Sequence, residues 1–581
     1  MGDPPRYFRA AALDYDGTLA EGGAAAPETL SALRETRASG VRTVLVTGRI
    51  LPELRSVCPD LWDRFDAIVA ENGAVLEIQG EVRRLAPPVA QDLDPLLTRR
   101  GVVFRRGDVI LATRGRFLTE TAEAIRELGL ACRLVHNRGE MMVIPSEIDK
   151  GTGVVQALAE LGVSPRNAVA VGDAENDHSL LRSCELGVAV ANGVTALKLR
   201  ADLVLPHDNG AGVRTLLRGP VFQGGQKIPP LRRQVRLGRD SSGAAVGLPG
   251  SQVNLLVAGG SRSGKSWISG LLAERLIAMG YRAVIFDPEG DHGSLGAQPD
   301  TAVLGDGQRP PDAHRLRELI GQNIGSFVLD LSLLSPEETV RYTIDALRVL
   351  KEERRRTGLP HWIFLDEAHM LFNAGGNSGA DIVAADLRGY CLSTYLPEEL
   401  DSAVLHTLDA AVLLPGGLPI SGRPERAEVL AAIFGVSVGD IRPPKNETDI
   451  LLLRNRHRPP VQRLTPDRRR SSHERHRRKY RRFQLPHRLC FHFREGDGPV
   501  TEMAANITEF EEVVERCPGR TLAYHAGRRD FSRWFRDVFQ EPGLGRRIRG
   551  HERQVPSDPG DADVAAFRKH LIQEIETRFA E

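Results

Sequence analysis

Short apolar segments that end in polar residues recur along the chain, and this pattern constrains the fold more than any other feature. Within residues 1–218, the segments AAALDYD, RTVLVTG and NAVAVGD alternate with helical stretches such as TLSALRETRASG and GVVQALAELGV. Apolar segments of this length, separated by amphipathic stretches, are typical of buried parallel strands joined by helices. The pattern therefore predicts an α/β fold.

Composition shifts divide the 581 residues into several domains, since one domain usually holds roughly 100–200 residues. The first predicted domain covers 1–218, and residues from about 80 to 147 interrupt its rhythm as a small α+β insertion. A Gly-, Pro- and Arg-rich linker with a short β prelude follows over 219–250. A second α/β domain covers 251–455, and a basic segment with a C-terminal module of unassigned role covers 456–581.

The overall composition excludes several classes of protein. The net charge is +1, and 41% hydrophobic with 26% charged residues is ordinary for a soluble globular protein. The six cysteines show no paired spacing, which argues against a disulfide framework or a zinc site and favours a reducing compartment. No apolar run approaches the roughly 18 residues of a membrane helix, and the N-terminus lacks a signal-peptide core. We therefore predict a cytoplasmic protein without a membrane partner.

The segment LDYDGT places two carboxylates, those of Asp14 and Asp16, at the end of the first predicted strand. Side chains two residues apart on a strand point to the same side. One carboxylate can attack a phosphorus atom while the other handles the leaving-group proton. The next strand, in VLVTGR, ends at Thr47, whose hydroxyl group can hold a phosphoryl oxygen.

Further charged residues follow at later strand ends. Lys150, in PSEIDKGTG, can offset the negative charge of a nucleophile and a phosphate. VGDAEND ends another strand with Asp173 and Asp177. With Asp14 and Asp16 they form an oxygen-rich set that suits octahedral Mg²⁺. The sequence therefore predicts a Mg²⁺-dependent site for a phosphorylated substrate.

These four elements, in this order, resemble the haloacid dehalogenase superfamily of phosphatases, over about residues 8–218. The segment ENGAV and the stretch ANGVTALKLRADLVLPHDNGAGVRTLL resemble its capped, Cof-type subgroup, which includes sugar-phosphate phosphatases. The resemblance implies a Rossmann-like domain in which Asp14 is the nucleophile, forming an aspartyl-phosphate, and Asp16 the general acid/base. It further implies that Thr47 and Lys150 bind the phosphate and that Asp173 and Asp177 belong to the metal shell. Asn176 is expected to orient one of these two aspartates.

The insertion is expected to be the cap that closes over the substrate and excludes water. It carries arginines that either bind an anionic substrate or form a solvated face. These are Arg105, Arg106, Arg114, Arg116, Arg133 and Arg138.

A phosphate-binding loop opens the second domain. GGSRSGKS, residues 259–266, follows the apolar segment NLLVA and leads into the helical pattern WISGLLAERLIAMG. This strand–loop–helix context is the one that a P-loop requires, because backbone N–H groups there cradle phosphates. Lys265 is predicted to reach the β- and γ-phosphates and Ser266 to bind Mg²⁺. ATP binding is therefore predicted, with Gly259 and Gly264 shaping the loop.

A second acidic strand end lies about a hundred residues further on. WIFLDEAH ends in Asp366, which is expected to hold Mg²⁺ through water, and Glu367, which is expected to polarise the attacking water. With the intervening AVIFDPEGDH, these segments resemble the HerA/FtsK-like family of ring-forming motor ATPases, especially its HerA branch, over about residues 228–455. The resemblance implies a RecA-like P-loop domain and a homo-oligomeric ring. It places the acidic residues Asp287, Glu289 and Asp291 near the nucleotide.

The sequence departs from this family at one position. Where the family usually carries a polar sensor, often Gln, at the end of a later strand, this chain has Ser393, Thr394 and Tyr395. The departure puts motor activity in question, but not nucleotide binding. Arg423 and Arg426 are candidates for an arginine finger and are equally explained as surface residues.

Residues 454–488 are dense in arginine and contain interleaved aromatic residues. Such a segment either binds nucleic acid, by neutralising phosphates and stacking on bases, or is a solvated linker. Three hypotheses follow for the whole chain. The first is a phosphohydrolase acting on a small phosphorylated metabolite, such as a sugar phosphate, fused to an ATP-hydrolysing domain. The alternatives are a nucleic-acid-processing ATPase with an accessory phosphatase, and a scaffold ordered by ATP.

Overall fold

A computed structural model describes most of the 581-residue chain. It describes residues 6–579 apart from 58–62, 138, 225–226, 231, 261–262, 306–307, 322–324, 374–380, 382, 384–387, 415–424, 442–448, 456–458, 471–484, 486, 497, 540 and 557–558. Among these residues, no helix combines the length and the apolar character that crossing a bilayer requires.

The N-terminal domain is built on an eight-stranded sheet. Its first six strands in spatial order are parallel, and the last two form an antiparallel edge hairpin. The spatial order is Leu203–Val204, Leu186–Ala189, Ala168–Gly172, Ala10–Asp14, Arg42–Val46, Ala67–Ala70, Val75–Ile78 and Glu81–Arg84. The central strands are fully buried, as their uninterrupted apolar segments predict.

Helices cover both faces of this sheet, because each parallel crossover needs one. They are Pro27–Ala38, Leu51–Val57, Lys150–Glu160, His178–Ser183, Thr195–Lys198, Asn209–Leu217 and Pro220–Gln223. A two-stranded ribbon, Ala20–Glu21 with Ala24–Ala25, follows the first strand. Asp14, Thr47, Asp173 and Asp177 lie at the carboxyl ends of strands or in the loops beside them, and Lys150 begins a helix.

The interval predicted as an insertion folds into a four-stranded antiparallel sheet with two helices. The strand order is Cys132–Asn137, Glu140–Pro145, Leu111–Arg114 and Phe104–Arg106. The helices Leu93–Arg99 and Leu118–Glu127 pack on this sheet around their own small apolar core.

An eleven-stranded sheet forms the second domain. Seven parallel strands hold the nucleotide motifs, in the order Ala410–Leu413, Leu255–Ala258, Tyr390–Thr394, Trp362–Leu365, Ala283–Asp287, Ser326–Asp330 and Thr301–Leu304. Four antiparallel strands extend one edge, in the order Ala245–Pro249, Gln234–Arg239, Val461–Pro466 and Ile450–Arg454. The helices of this domain are Lys265–Ala278, Ala313–Gly321, Pro336–Thr357, Ser402–Leu405 and Glu425–Phe434.

This sheet runs past both boundaries that composition suggests for the second domain. The strands of the predicted prelude, Gln234–Arg239 and Ala245–Pro249, pair with it, and so does Val461–Pro466 from the predicted basic segment. Their inward residues alternate with arginines, as Val235 and Leu237 do. These arginine-rich segments therefore show the alternation of inward apolar and outward polar residues that is typical of an edge strand.

Within its described residues, the C-terminal module packs five helices against a hairpin. The hairpin strands are Phe491–Arg494 and Val500–Ala504, and the helices are Ile507–Arg516, Gly519–Arg528, Asp530–Asp537, Pro542–Glu552 and Asp561–Phe579. An aromatic cluster fills its core, with Phe510 stacked on Trp534 at 4.7 Å between ring centroids. The aromatic residues of this region therefore serve packing.

The two large domains meet at the amino ends of their central strands. Arg9, just before the strand Ala10–Asp14, donates to the Arg354 carbonyl at 3.0 Å. The Tyr281 hydroxyl, just before the strand Ala283–Asp287, donates to Glu185 at 2.9 Å. The carboxyl ends of the two sets of strands, which carry the predicted sites, therefore point away from each other.

Candidate active sites

Lys150 ties together two carboxylates at the first predicted site. Its ammonium group donates to Asp14 Oδ1 at 2.7 Å and to Asp177 Oδ1 at 2.6 Å, and it is only 1% exposed. Lys150 is the first residue of the helix Lys150–Glu160, which a capping box between Asp149 and Thr152 starts. The cap fixes the helix start and thereby aims the lysine at the strand ends.

Asp173 and Asp177 complete the acidic group on the loop after the strand Ala168–Gly172. Backbone N–H groups of Asp173 and Ala174 donate to Asp177 Oδ2 at 2.9 and 3.0 Å. The Thr18 hydroxyl donates to Asp173 Oδ1 at 3.1 Å. Ligand oxygens of Asp14, Asp173 and Asp177 all lie within 4.8 Å of one another. The structure thus brings together three of the predicted acidic residues and the predicted lysine.

The charges of this cluster suit a divalent cation. All three carboxylates are buried, and Lys150 pairs with two of them, Asp14 and Asp177. Burial and the adjacent Asp177 raise the pKa of Asp14 well above its ordinary value, although Lys150 opposes this. Burial lowers the pKa of Lys150, but Asp14 and Asp177 outweigh burial and raise it above its ordinary value. Carboxylate oxygens grouped in this way are the kind of ligand that Mg²⁺ prefers.

The carboxylate of Asp16 does not join this cluster. The Arg49 guanidinium donates to its two oxygens at 2.7 and 2.6 Å, and the Asp16 side chain is 37% exposed. Pairing with Asp16 raises the pKa of Arg49 although burial opposes it. Metal binding by Asp16 therefore stays a prediction. Arg49 was not singled out from the sequence, although it ends the quoted segment VLVTGR.

Thr47 lies beside the acidic cluster of the same site. It follows the strand Arg42–Val46, is 1% exposed, and its hydroxyl accepts a hydrogen bond from the Arg49 backbone at 3.2 Å. On the other side, Asn176 donates to Asn72 Oδ1 at 3.2 Å, and both side chains are buried. Thr47 and Asn176 thus lie on loops beside the acidic cluster.

A strained turn joins the predicted cap to this site. Glu71 and Asn72 both adopt left-handed backbone conformations, with φ of 54° and 57°. The buried Glu71 carboxylate accepts hydrogen bonds from the backbone N–H groups of Asp108, Val109 and Ile110 at 2.8, 2.8 and 3.0 Å. These amides belong to the inserted domain, so Glu71 holds it to the core. The segment ENGAV was noted in the sequence, but not this role.

The inserted domain also reaches over the site. A side chain at Gly48, in the VTGR segment, would lie 3.3 Å from Met142 Sδ. A cavity of about 810 Å³ opens beside Asn72 and Asn176 and is lined by Arg133 from the insertion. The other predicted arginines differ in their contacts. Arg105 pairs with Glu53 and Glu140, Arg106 pairs with Asp94, and Arg138 lies outside the described residues.

The phosphate-binding loop connects the strand Leu255–Ala258 to the helix Lys265–Ala278. Gly264 has a φ of 99°, which favours glycine, and a side chain at Gly259 would meet Ser263 Oγ at 2.1 Å, so Gly259 leaves room for the loop. Lys265 is 7% exposed and donates to the Gly260 carbonyl at 3.3 Å. Ser266 is half-buried at the helix start. Residues 261–262 lie outside the described part.

Asp366 follows the strand Trp362–Leu365 and pairs with a histidine. Its Oδ2 lies 2.8 Å from His292 Nε2, and ligand atoms of Asp287, His292 and Asp366 lie within 4.8 Å of one another. Burial lowers the pKa of His292, but Asp366 and its acidic neighbours raise it to about 9. Burial raises the pKa of Asp287 to about 7. His292 was not singled out from the sequence, although it directly follows DPEGD.

Glu367 lies beside the residues proposed as a sensor. It has a φ of 51° and a carboxylate 3.4 Å from His369 Nδ1, whose ring also contacts Thr394 Oγ1 at 3.2 Å. The strand Tyr390–Thr394 runs between the P-loop strand and Trp362–Leu365. Tyr395 stacks edge-on with His369 and lies under Lys265 at 5.8 Å. Thr394 and Tyr395 thus bridge the loop lysine and the acidic strand end.

The remaining predicted residues lie partly inside and partly outside the described part of the chain. Glu289 and Asp291 are buried on the loop that carries His292, whereas Arg423 and the side chain of Arg426 lie outside the described residues. Within the basic segment, Arg469 packs against Gly270 of the P-loop helix and Arg454 donates to Gln462. Residues 471–484 lie outside the described part. Nucleic-acid binding therefore stays a prediction.

Two families match this chain in separate regions. The family described as haloacid dehalogenase-like hydrolase matches residues 11–87 and 110–217. The family described as helicase HerA, central domain, matches residues 254–359. The first match includes Asp14, Lys150 and Asp177, and the second includes Lys265.

Two curated relatives each match about a third of this chain. Phosphoglycolate phosphatase of Methanopyrus kandleri is 32% identical over 220 residues, which are 35% of this chain and 94% of that protein. The phosphoglycolate phosphatase of Methanothermobacter thermautotrophicus is 31% identical, covering 36% of this chain and 98% of the relative. Among solved structures, a haloacid dehalogenase-like hydrolase from B. subtilis is 18% identical, with a TM-score of 0.32, covering 36% of this chain and 99% of that one.

Proposed function

Because the chain belongs to the haloacid dehalogenase-like hydrolases through its N-terminal domain and carries a HerA central domain behind it, we propose a Mg²⁺-dependent phosphohydrolase fused to an ATP-hydrolysing domain. Its substrate is a small phosphorylated metabolite. The observation that carries the proposal is the buried triad in which Lys150 bridges Asp14 and Asp177. This arrangement supplies a fixed nucleophile, a compensating cation and a set of metal ligands within one small volume.

The reaction proceeds in two displacements at phosphorus. A carboxylate oxygen of Asp14 attacks the phosphate ester, the bond to the leaving oxygen breaks, and an aspartyl-phosphate forms. Asp16 delivers a proton to the leaving alkoxide, which departs as an alcohol. Asp16 then takes a proton from water as the water oxygen attacks phosphorus. The aspartyl-phosphate bond breaks, which releases phosphate and restores Asp14.

The remaining side chains position the phosphoryl group. Lys150 holds Asp14 in place and neutralises charge as the phosphoryl group arrives, and the Thr47 hydroxyl binds a phosphoryl oxygen. Arg49 binds both oxygens of Asp16. A phosphate competes for the same guanidinium, so substrate binding frees the Asp16 carboxyl group to act at the leaving oxygen.

Asp14, Asp173 and Asp177 would hold the metal ion, and the fit of their buried, negatively charged oxygens supports this assignment. Mg²⁺ bound there supplies electrostatic stabilisation of the charge that develops on the phosphoryl group.

The substrate class follows from the cap and from the relatives. Arg133 lines the cavity beside the site, and Met142 lies over Gly48, so the leaving group is bound between core and cap. The relatives named above are phosphoglycolate phosphatases. A small ester whose leaving group is anionic or hydroxylated, such as phosphoglycolate or a sugar phosphate, fits these features.

The second domain binds and hydrolyses ATP. Lys265, Ser266 and the loop glycines bind the phosphates and Mg²⁺, Asp366 supports the metal, and Glu367 activates water. The burial of Lys265, Asp366 and Glu367 at neighbouring strand ends supports these roles. A homo-oligomeric ring is part of this proposal.

The nucleophile assignment is tested by Asp14→Asn, with hydrolysis of phosphoglycolate, sugar phosphates and p-nitrophenyl phosphate measured at saturating Mg²⁺. Loss of the nucleophile should lower the rate by at least about 10³-fold. The matched control is Asp92→Asn, at an exposed position of the same domain, which should leave the rate unchanged. Equal rates for Asp14→Asn and the control would show that Asp14 is not the nucleophile. ATP hydrolysis is measured on the wild type and on Glu367→Gln, in which it should be abolished.

A further inference from the structure

The phosphatase and P-loop domains share a buried interface that is built from the amino ends of their strands. On the phosphatase side, Arg9, Asn167 and Glu185 each directly precede a strand of the sheet. On the other side, Arg282 and His361 directly precede the strands that end in Asp287 and Leu365. The residues that fasten the two domains are therefore one strand length away from each site.

Glu185 is the centre of this interface. Its side chain is fully buried and accepts hydrogen bonds from the Ser251 hydroxyl at 2.6 Å and the Tyr281 hydroxyl at 2.9 Å. Arg233 Nε lies 3.4 Å from its other oxygen. Arg166 lies over the Tyr281 ring at 5.7 Å and donates to the Met279 carbonyl at 2.9 Å. A buried, well-satisfied polar network of this kind transmits displacements because it has little room to relax.

On the phosphatase side, one short helix connects Glu185 to the metal-binding loop. The helix His178–Ser183 starts directly after Asp177 and ends two residues before Glu185. Two linker arginines hold its carboxyl end. Arg232 donates to the carbonyls of Cys184 and Glu185 at 2.9 and 3.0 Å, and Arg233 donates to the Arg182 and Cys184 carbonyls, each at 2.6 Å. A displacement of Glu185 would therefore be transmitted through this helix to Asp177.

On the ATPase side, the P-loop helix reaches the same point. Lys265–Ala278 begins at the nucleotide lysine and ends directly before Met279, which contacts Arg166. Tyr281, two residues further on, contacts Glu185. A second route joins the nucleophile strand to the acidic strand. Arg9 donates to the Arg354 carbonyl, and the segment from Arg354 leads directly into Trp362–Leu365 and Asp366.

We propose that nucleotide binding at the P-loop changes the phosphatase turnover of the same chain through the Glu185–Tyr281 contact. The proposal rests on the proposed function of both sites. Nucleotide phosphates pull on the start of the P-loop helix, and its far end carries the residues that hold the Glu185 network. Coupling of this kind runs through contiguous packed elements and requires no transfer of substrate between the sites.

The test measures phosphatase kcat/KM on the full chain with p-nitrophenyl phosphate, at constant free Mg²⁺. The rate is compared without nucleotide, with ADP, and with a non-hydrolysable ATP analogue, whose binding is followed by calorimetry. The variants are Tyr281→Phe and Ser251→Ala, each of which removes one hydroxyl group from Glu185. The matched control is Tyr342→Phe, whose hydroxyl group bonds the Pro311 carbonyl within the P-loop domain.

In the wild type, one of the two nucleotides should change kcat/KM by at least about five-fold, which is the lower end of typical allosteric coupling. Tyr281→Phe and Ser251→Ala should each reduce this change by half or more on a logarithmic scale, and Tyr342→Phe should keep it. In Lys265→Ala, added nucleotide should leave the rate where it was without nucleotide, which separates coupling from binding of nucleotide at the phosphatase site.

Bound nucleotide with an unchanged phosphatase rate would overturn the coupling and leave the proposed function intact. A full response in Tyr281→Phe and Ser251→Ala would also overturn it. Absence of phosphatase activity, or of nucleotide binding, would overturn the proposed function and the coupling together.

Discussion

At the residue scale, two basic side chains divide the control of the acidic residues at the phosphatase site. Lys150 holds Asp14 and Asp177 in the interior of the domain. Arg49 binds Asp16 at the rim, where the carboxylate is partly exposed. In the proposed mechanism, Asp14 is therefore fixed before substrate arrives, whereas Asp16 changes partner when substrate binds.

Arg49→Met tests this division, because methionine keeps the length of the side chain but not its charge. Charge-assisted hydrogen bonds contribute about 1.5–3 kcal/mol, so the KM for a phosphate ester should rise by roughly 10–100-fold. Steady-state kinetics would measure this rise. Arg83→Met, which removes an exposed pair with Glu160 on the same domain, is the control and should leave KM unchanged. An unchanged KM in Arg49→Met would mean that Arg49 does not bind the substrate phosphate.

A second prediction at this scale concerns pH. Burial raises the pKa of Glu185 above its ordinary value of 4.5, so the folded protein binds a proton there that the unfolded chain has lost. Stability contributed at this position is present below pH 4.5 and is lost as pH rises through the folded-state pKa. Glu185→Gln removes that loss. The stability of the wild type relative to Glu185→Gln should therefore fall as pH rises above 4.5.

Urea unfolding followed by tryptophan fluorescence measures this difference, since Trp362 donates to the Gly250 carbonyl near the interface. Glu160→Gln, at an exposed ion pair, serves as the control and should show no such trend. A constant difference between wild type and Glu185→Gln from pH 4.5 to 8 would show that the carboxyl group is not destabilised by burial.

At the element scale, the turn at Glu71 and Asn72 connects four parts of the phosphatase domain. The Asn72 N–H donates to the Thr47 carbonyl, and the Glu71 N–H donates to the Arg49 carbonyl. A side chain at Gly73 would meet the Asp149 carbonyl at 1.9 Å, just before Lys150. Contacts with the segment from Thr47 to Arg49, with the Asp149 carbonyl and with the cap therefore maintain the left-handed backbone at this turn. It sets the position of the cap relative to the catalytic residues.

Glu71→Gln should loosen the cap. A glutamine at this position has one acceptor oxygen for three backbone N–H groups, and its own amide group faces donors. A buried group left unsatisfied costs about 1–3 kcal/mol, so hydrogen exchange at Asp108, Val109 and Ile110 should accelerate by at least about five-fold. Exchange measured by mass spectrometry would detect this change.

Glu77→Gln is the matched control, because Glu77 is also buried but pairs with Arg55 away from the cap. It should leave exchange at residues 108–110 unchanged. Equal exchange in Glu71→Gln and wild type would mean that other contacts hold the cap.

The strands and helices that carry a sequence motif could be predicted from the sequence, whereas the long-range contacts between elements could not. Asp14, Lys150 and Lys265 end or begin elements with a clear apolar pattern, so their strands and helices were foreseeable. Glu185 lies 96 positions from Tyr281, and no local pattern records that pairing. Arg49 was visible in its motif, but its choice of Asp16 depends on the tertiary position of the two loops.

At the scale of the whole molecule, the two sheets are joined at the ends opposite to their catalytic loops. Arg9 and Glu185 contact the P-loop domain, while Asp14 and Asp173 lie at the other ends of the same set of strands. The nucleotide loop likewise lies at the far end of the strands that begin near Ser251. The two sets of site residues therefore lie at opposite ends of the joined sheets.

The separation of the two metal sites follows from strand lengths and can be measured. The nucleophile strand has five residues and the acidic strand Trp362–Leu365 has four, so the two strands together span roughly 30 Å. With Mn²⁺ in place of Mg²⁺ at both sites and a non-hydrolysable ATP analogue bound, electron–electron double resonance should report a Mn²⁺–Mn²⁺ distance of roughly this size or longer. Asp14→Asn should weaken the signal by emptying one site. A distance well under about 20 Å would show that the catalytic ends face each other, and would make direct transfer between the sites physically feasible.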